Sequence, residues 1–127
     1  MLFLSIAFYC GKAQEIFVGV PKNIIEKYFS KEDIKYEPLE SGGYVMTVIP
    51  KPGNHNILKF DFIIDKNSGT CNFLVFYPLD CIAKIDKLNK ELGAPTNGFW
   101  VGVNPFGEKV KIEFKKSSES FWYTPLL

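Results

Sequence analysis

A single histidine, His55, stands in the polar stretch Gly53-Asn54-His55-Asn56, and it is the first residue to weigh for acid or base work because imidazole titrates near neutral pH. One imidazole cannot assemble a metal cluster, and a Ser-His-Asp or Cys-His arrangement would have to recruit it from a loop tip. The position reads as a solvated turn residue. Asp61 lies between Phe60 and Phe62, and Asp65 ends the same alternating run. Paired carboxylates can divide acid and base roles between them, but an outward sheet face and a turn account for these two equally. Glu113, between Ile112 and Phe114, points outward in the same sense. An enzyme built on this chain would be a small hydrolase or isomerase relying on His55, Asp61 and Glu113. Cys81 follows Asp80, an N-cap candidate, where the positive end of a helix lowers a thiol pKa; a buried first-turn cysteine is the simpler reading. Gly42-Gly43 and Gly98 precede strands rather than follow them, which is turn chemistry, so phosphate-cradling loops are not expected. No catalytic, metal-binding or cofactor residue is assigned.

The positive signal is aromatic. Phe99 and Trp100 are adjacent, as are Phe121, Trp122 and Tyr123. Successive side chains of a strand point to opposite faces, so Trp100 and Trp122 are expected on the face away from the core. With helices covering one face only, Trp100, Trp122, Leu74 and Phe76 are expected to form an exposed patch on the other, a surface for a protein or glycan partner. The alternative is a face covered by the N-terminal segment, by the 31–41 connection, or by a second copy in a homodimer.

The elements that must position these residues follow from periodicity. Pro21 to Ser30 reads as a helix with Ile24, Ile25, Tyr28 and Phe29 on one face. Strands are expected at Tyr44 to Ile49, Ile57 to Asp65 and Cys71 to Tyr77, the last apolar on both faces and therefore central. A second helix starts after Asp80, carries Ile82, Ile85, Leu88 and Leu92 at helical spacing, and stops at Gly93. Strands follow at Phe99 to Val103, Val110 to Phe114 and Phe121 to Thr124, the first two joined by Asn104-Pro105-Phe106-Gly107, a type I turn. Each half thus reads helix, strand, Pro/Gly turn, strand, Ser turn, strand. The expected fold is α+β: two αβββ repeats forming a mainly antiparallel sheet of about six strands, with two helices on one face.

Composition bounds the rest. The chain has 127 residues, 46% hydrophobic and 23% charged, which suits one globular domain. All fifteen basic residues are lysine and the net charge is +1, so the guanidinium forks that read phosphate and guanine are missing and no nucleic-acid partner is expected. An apolar stretch from Leu2 to Cys10, followed by Gly11-Lys12-Ala13, reads as a signal peptide over residues 1–13, leaving a domain over 14–127. Nine such residues are too few to span a bilayer of about 30 Å as a helix, so no transmembrane span is expected. The reading is export, to the periplasm or outside the cell. Cys71 and Cys81 stand at either end of a strand whose length, about 20 Å, exceeds the roughly 7 Å between bridged Cα atoms, so no disulfide is expected.

The runs Phe17-Val18-Gly19-Val20-Pro21-Lys22, Cys71-Asn72-Phe73-Leu74-Val75-Phe76-Tyr77-Pro78-Leu79 and Phe99-Trp100 resemble a group of small exported bacterial proteins that form a domain of unknown function. That resemblance implies a leader peptide, an αβββ-αβββ order and no established activity. Pro21 departs from it, since Ser or Thr is expected there. Phe73 to Tyr77, the second helix, and Asn104 to Gly107 leading to Ile112-Glu113-Phe114 are also similar to the βαβββ modules of the glyoxalase and bleomycin-resistance superfamily. Those enzymes hold a metal with His and Glu on their strands. Only Glu113 stands where a ligand is expected, with Cys71 or Asn72 in place of His. The expected function is an exported, non-enzymatic binding module without a cofactor; an accessory subunit of an envelope complex is the other non-enzymatic reading.

Overall fold

The structure, a computed structural model, describes residues 16–51 and 57–126. The leader at 1–13, Cys10 and His55 lie outside the described residues. Among the described residues two α-helices and seven strands follow in the order α1 (Lys22–Tyr28), β1 (Asp33–Pro38), β2 (Tyr44–Ile49), β3 (Ile57–Ile64), β4 (Cys71–Pro78), α2 (Cys81–Leu92), β5 (Trp100–Val103), β6 (Lys109–Lys115) and β7 (Ser120–Pro125). The strands make one sheet in the order β1-β2-β3-β4-β7-β6-β5, every neighbouring pair antiparallel. β4 is the central strand, as its two apolar faces require. The seventh strand corrects the expected count of about six. β1 was hidden in the 31–41 connection because most of its side chains are exposed; what makes it a strand is its backbone register with β2, from Asp33 opposite Ile49 to Pro38 opposite Tyr44.

Register sorts the side chains into two faces. On one, the row Met46, Phe62, Leu74, Tyr123, Ile112 and Trp100 runs across β2, β3, β4, β7, β6 and β5. Val48, Phe60, Phe76, Phe121 and Phe114 form the adjacent row, and all of these but Phe114 are buried. Both helices pack here. Ile25 of α1 and Leu88 of α2 are buried in the same cluster, with Ile24, Tyr28, Phe29, Ile85 and Leu92 around them. Asp80 caps α2 by accepting the Ala83 N–H at 3.1 Å, and Gly93, at φ 85°, donates to the Asn89 carbonyl and ends it.

Residues 16–20 complete this core. The Phe17 ring lies 5.3 Å from Tyr28 and 5.7 Å from Phe62 between ring centroids. Ile16 packs over Gly102, where a Cβ would stand 2.6 Å from its Cδ1, so glycine makes room for the segment. The Gly19 N–H donates to the Cys71 carbonyl at 2.6 Å and the Cys71 N–H to the Val20 carbonyl at 3.0 Å. Asn104 closes the other side. Its side-chain amide donates to the Val18 carbonyl at 2.8 Å and to Glu108 Oε1 at 2.7 Å, while its Oδ1 accepts the N–H groups of Phe106 and Glu108 at 2.9 Å. The Gly107 N–H returns to the Asn104 carbonyl at 3.0 Å, closing the expected β-turn.

Candidate functional site

The four residues expected to form one exposed patch are divided by the sheet. Trp100 is 5% exposed, Phe76 2% and Leu74 0%, all three on the helix-covered side; Trp122 alone is on the other. The correction is one of strand parity. Trp100 stands opposite Ile112, and Leu74 and Phe76 stand between Phe62 and Tyr123, and between Phe60 and Phe121, so their neighbours on both sides fix them inward. Trp100 meets the polar requirement of a buried indole by donating Nε1–H to Asn89 Oδ1 at 3.0 Å.

The open face is built on the row Lys35, Thr47, Asp61, Val75, Trp122 and Glu113, one residue from each of β1, β2, β3, β4, β7 and β6. Val45, Ile63 and Phe73 form a second row beside it. Trp122 and Phe73 meet edge to face at 5.3 Å, the geometry that ring quadrupoles favour. Lysines lie over the rings. Lys115 Nζ is 4.7 Å from the Trp122 ring, Lys59 Nζ 4.7 Å from Tyr77, and Lys111 Nζ 4.8 Å from Phe99. Carboxylates hold these ammonium groups in place: Asp61 is 3.5 Å from Lys59, and Glu113 is 3.8 Å from both Lys111 and Lys115. Thr47 Oγ1 donates to Asp61 Oδ1 at 2.7 Å. Stems of lysine cover apolar surface while their heads stay in water, so these lysines shield part of the aromatic-rich face.

Asp61 and Glu113 share a row, but Val75 and Trp122 stand between them, three strand spacings or about 14 Å. Each is engaged with lysine. They do not converge on a common reacting atom. Among the described residues no three His, Cys, Asp or Glu side chains group as metal ligands would, and no helix is long and apolar enough to cross a membrane.

Among the described residues, Cys71 and Cys81 are both free thiols. Cys71 is buried, and burial pushes its thiol up to about 12. Cys81 is half-buried, its Sγ 3.5 Å from the Glu119 carbonyl, and burial followed by the charges of Glu119 and Asp80 raises its pKa. The raised pKa is opposite in direction to the lowering that a helix N-terminus favours.

A cluster that the sequence does not reveal lies where α1 meets β1 and β2. Lys22, Glu26, Tyr36, Pro38 and Tyr44 line an open concavity of about 450 Å³. The Tyr36 hydroxyl donates to Glu26 Oε2, and Lys22 Nζ lies 5.6 and 5.1 Å from the Tyr36 and Tyr44 ring centroids. Desolvation, then the bond to Glu26, pushes the Tyr36 phenol up to about 12. The only local signal is Lys22 and Glu26 at helical i,i+4 spacing, because Tyr36 belongs to the strand that reads as a connection. In comparisons with protein-family models, curated proteins and solved structures, nothing matches the chain.

Proposed function

We propose that this chain is an exported, non-enzymatic binding module that holds a protein partner on the open face of its sheet, centred on Trp122. The observation that carries the reading is the Trp122–Phe73 pair, set among Ile63 and Val75 on a face that both helices leave to solvent. Aromatic anchors of this kind dominate the energetics of protein interfaces, and the lysines above them can swing to a partner's acceptors because each is held only by partly exposed ion pairs. A protein is favoured over a glycan because the aromatic pair is set among Ile63 and Val75, which give a sugar's hydroxyls no hydrogen-bonding partner. Export rests on the Leu2 to Ala13 leader pattern. Duplication of an αβββ unit belongs to the same reading: β4 and β7 lie side by side, and the order runs outward from them as β3-β2 and β6-β5.

The test is affinity purification of the tagged full chain from its host. A partner captured by the wild type is expected to be lost with Trp122→Ala and retained with His55→Ala. The opposite pattern overturns the reading in favour of an enzyme. Loss of oligosaccharide binding on a glycan array with Trp122→Ala replaces the protein partner with a glycan. Mass analysis of the mature protein is expected to find Gln14 at its start.

A further inference from the structure

The three most exposed large hydrophobic side chains among the described residues are Ile82 at 74%, Leu79 at 58% and Leu58 at 53%, and all three line one concavity of about 440 Å³. Two of them belong, by pattern, to the core. Leu58 alternates with Phe60, Phe62 and Ile64, but the register shift between Ile57 and Lys59 turns it out of the ladder. Ile82 repeats with Ile85, Leu88 and Leu92, yet stands outside the packed face of α2. Folding gains nothing from aliphatic side chains left in water, and gathered around one hollow they form the kind of apolar centre that interfaces use. The charged residues that line it have one sign. None of the nine lining residues is basic, whereas Asp80 and Glu119 are acidic. Both act on the Cys81 thiol between them and raise its pKa.

We infer that this concavity, where β3, β4 and α2 meet the β6–β7 turn, docks a protein segment presenting an aliphatic side chain next to a lysine or arginine. The aliphatic group fills the space between Leu58, Leu79 and Ile82, and the cation meets Asp80 and Glu119. A second copy of this chain fits less well, because a two-fold interface sets a patch against itself and would bring these carboxylates toward their own equivalents. The site shares Tyr77 with the open face but does not include Trp122 and does not depend on it.

The probe is an acetylated Gly/Ser peptide with Leu-Arg at its centre, titrated into methyl-labelled full-length protein and followed by NMR. Shifts are expected at the methyl groups of Leu58, Leu79 and Ile82. Binding is expected to weaken about tenfold or more with Ile82→Asp, a substitution at a side chain 74% exposed, and with Glu119→Lys. The Glu119→Lys protein is expected to prefer a Leu-Glu peptide. Absence of shifts at those methyl groups up to about millimolar peptide overturns the inference, as does equal binding of Leu-Arg and Leu-Glu peptides by the wild type. Self-association that Ile82→Asp abolishes in sedimentation also overturns it, because the occupant is then a second copy.

Discussion

The two faces of the sheet are made by the same strands and solve the exposure of aromatic side chains in opposite ways. On the covered side Phe60, Phe62, Phe76 and Phe121 exclude water by packing on one another and on Phe17 and Phe29. On the open side Tyr77, Trp122 and Phe99 each carry a lysine ammonium. The first solution is worth several kcal/mol per ring and cannot be undone without unfolding; the second is worth well under that and can be exchanged for a partner. A sheet can therefore be rich in aromatic residues on both sides while only one side belongs to the core.

The sharpest way to break this contrast is truncation. Phe62→Ala is expected to cost about 3–5 kcal/mol in denaturant unfolding, since the ring is fully buried among Phe17, Phe29 and Phe60. If Trp122→Ala costs as much, the two faces are energetically alike and the open one is not free for a partner. Next is the polar group that the covered side tolerates. Asn104→Ala is expected to cost about 2 kcal/mol, because it strands the Val18 carbonyl and two backbone N–H groups; Thr47→Val on the open face is expected to cost less in the same assay. Lys115→Gln sharpens the comparison further. Losing the ammonium over Trp122 is expected to cost about 0.5–1 kcal/mol and to shift the fluorescence of that indole.

The smallest effect is at the β3–β4 turn. Asp65 accepts the N–H groups of Ser68 at 2.9 Å and Asn67 at 3.1 Å, and these bonds, that of Ser68 first, lower its pKa. A carboxylate whose folded pKa lies below its unfolded value of about 3.9 stabilises the fold above that pH, and the contribution is lost as pH falls through the folded pKa. Comparing acid unfolding of the wild type and Asp65→Asn is expected to show this slope in the first and not in the second.

Much of the scaffold is legible in the residues because local chemistry and tertiary packing agree. The second helix has its Asp80 cap and Gly93 stop, Asn104 and Gly107 mark their turn, and β2 begins and ends where its alternation does. The candidate site is less legible for two reasons. β4 is apolar on both faces, so its own composition does not say which is inward; the partners Phe60, Phe62, Phe121 and Tyr123 decide it. Trp100 follows the tight turn at Asn97 and Gly98, both at positive φ, and its orientation depends on pairing with Ile112 rather than on its neighbour Phe99. β1 turns only Ile34 onto the core, too little for a stripe, and as an edge strand it carries Lys35, Glu37 and Pro38, which disfavour pairing on its outer side.

The bond between Asn104 and Val18 joins positions 86 residues apart. A ribosome delivers Ile16 to Val20 long before the hairpin that secures them, so during synthesis this greasy stretch has no permanent seat. The nascent chain must shelter it by other means until residue 108 has emerged. The N-terminal part of the core therefore closes last, although its residues are made first.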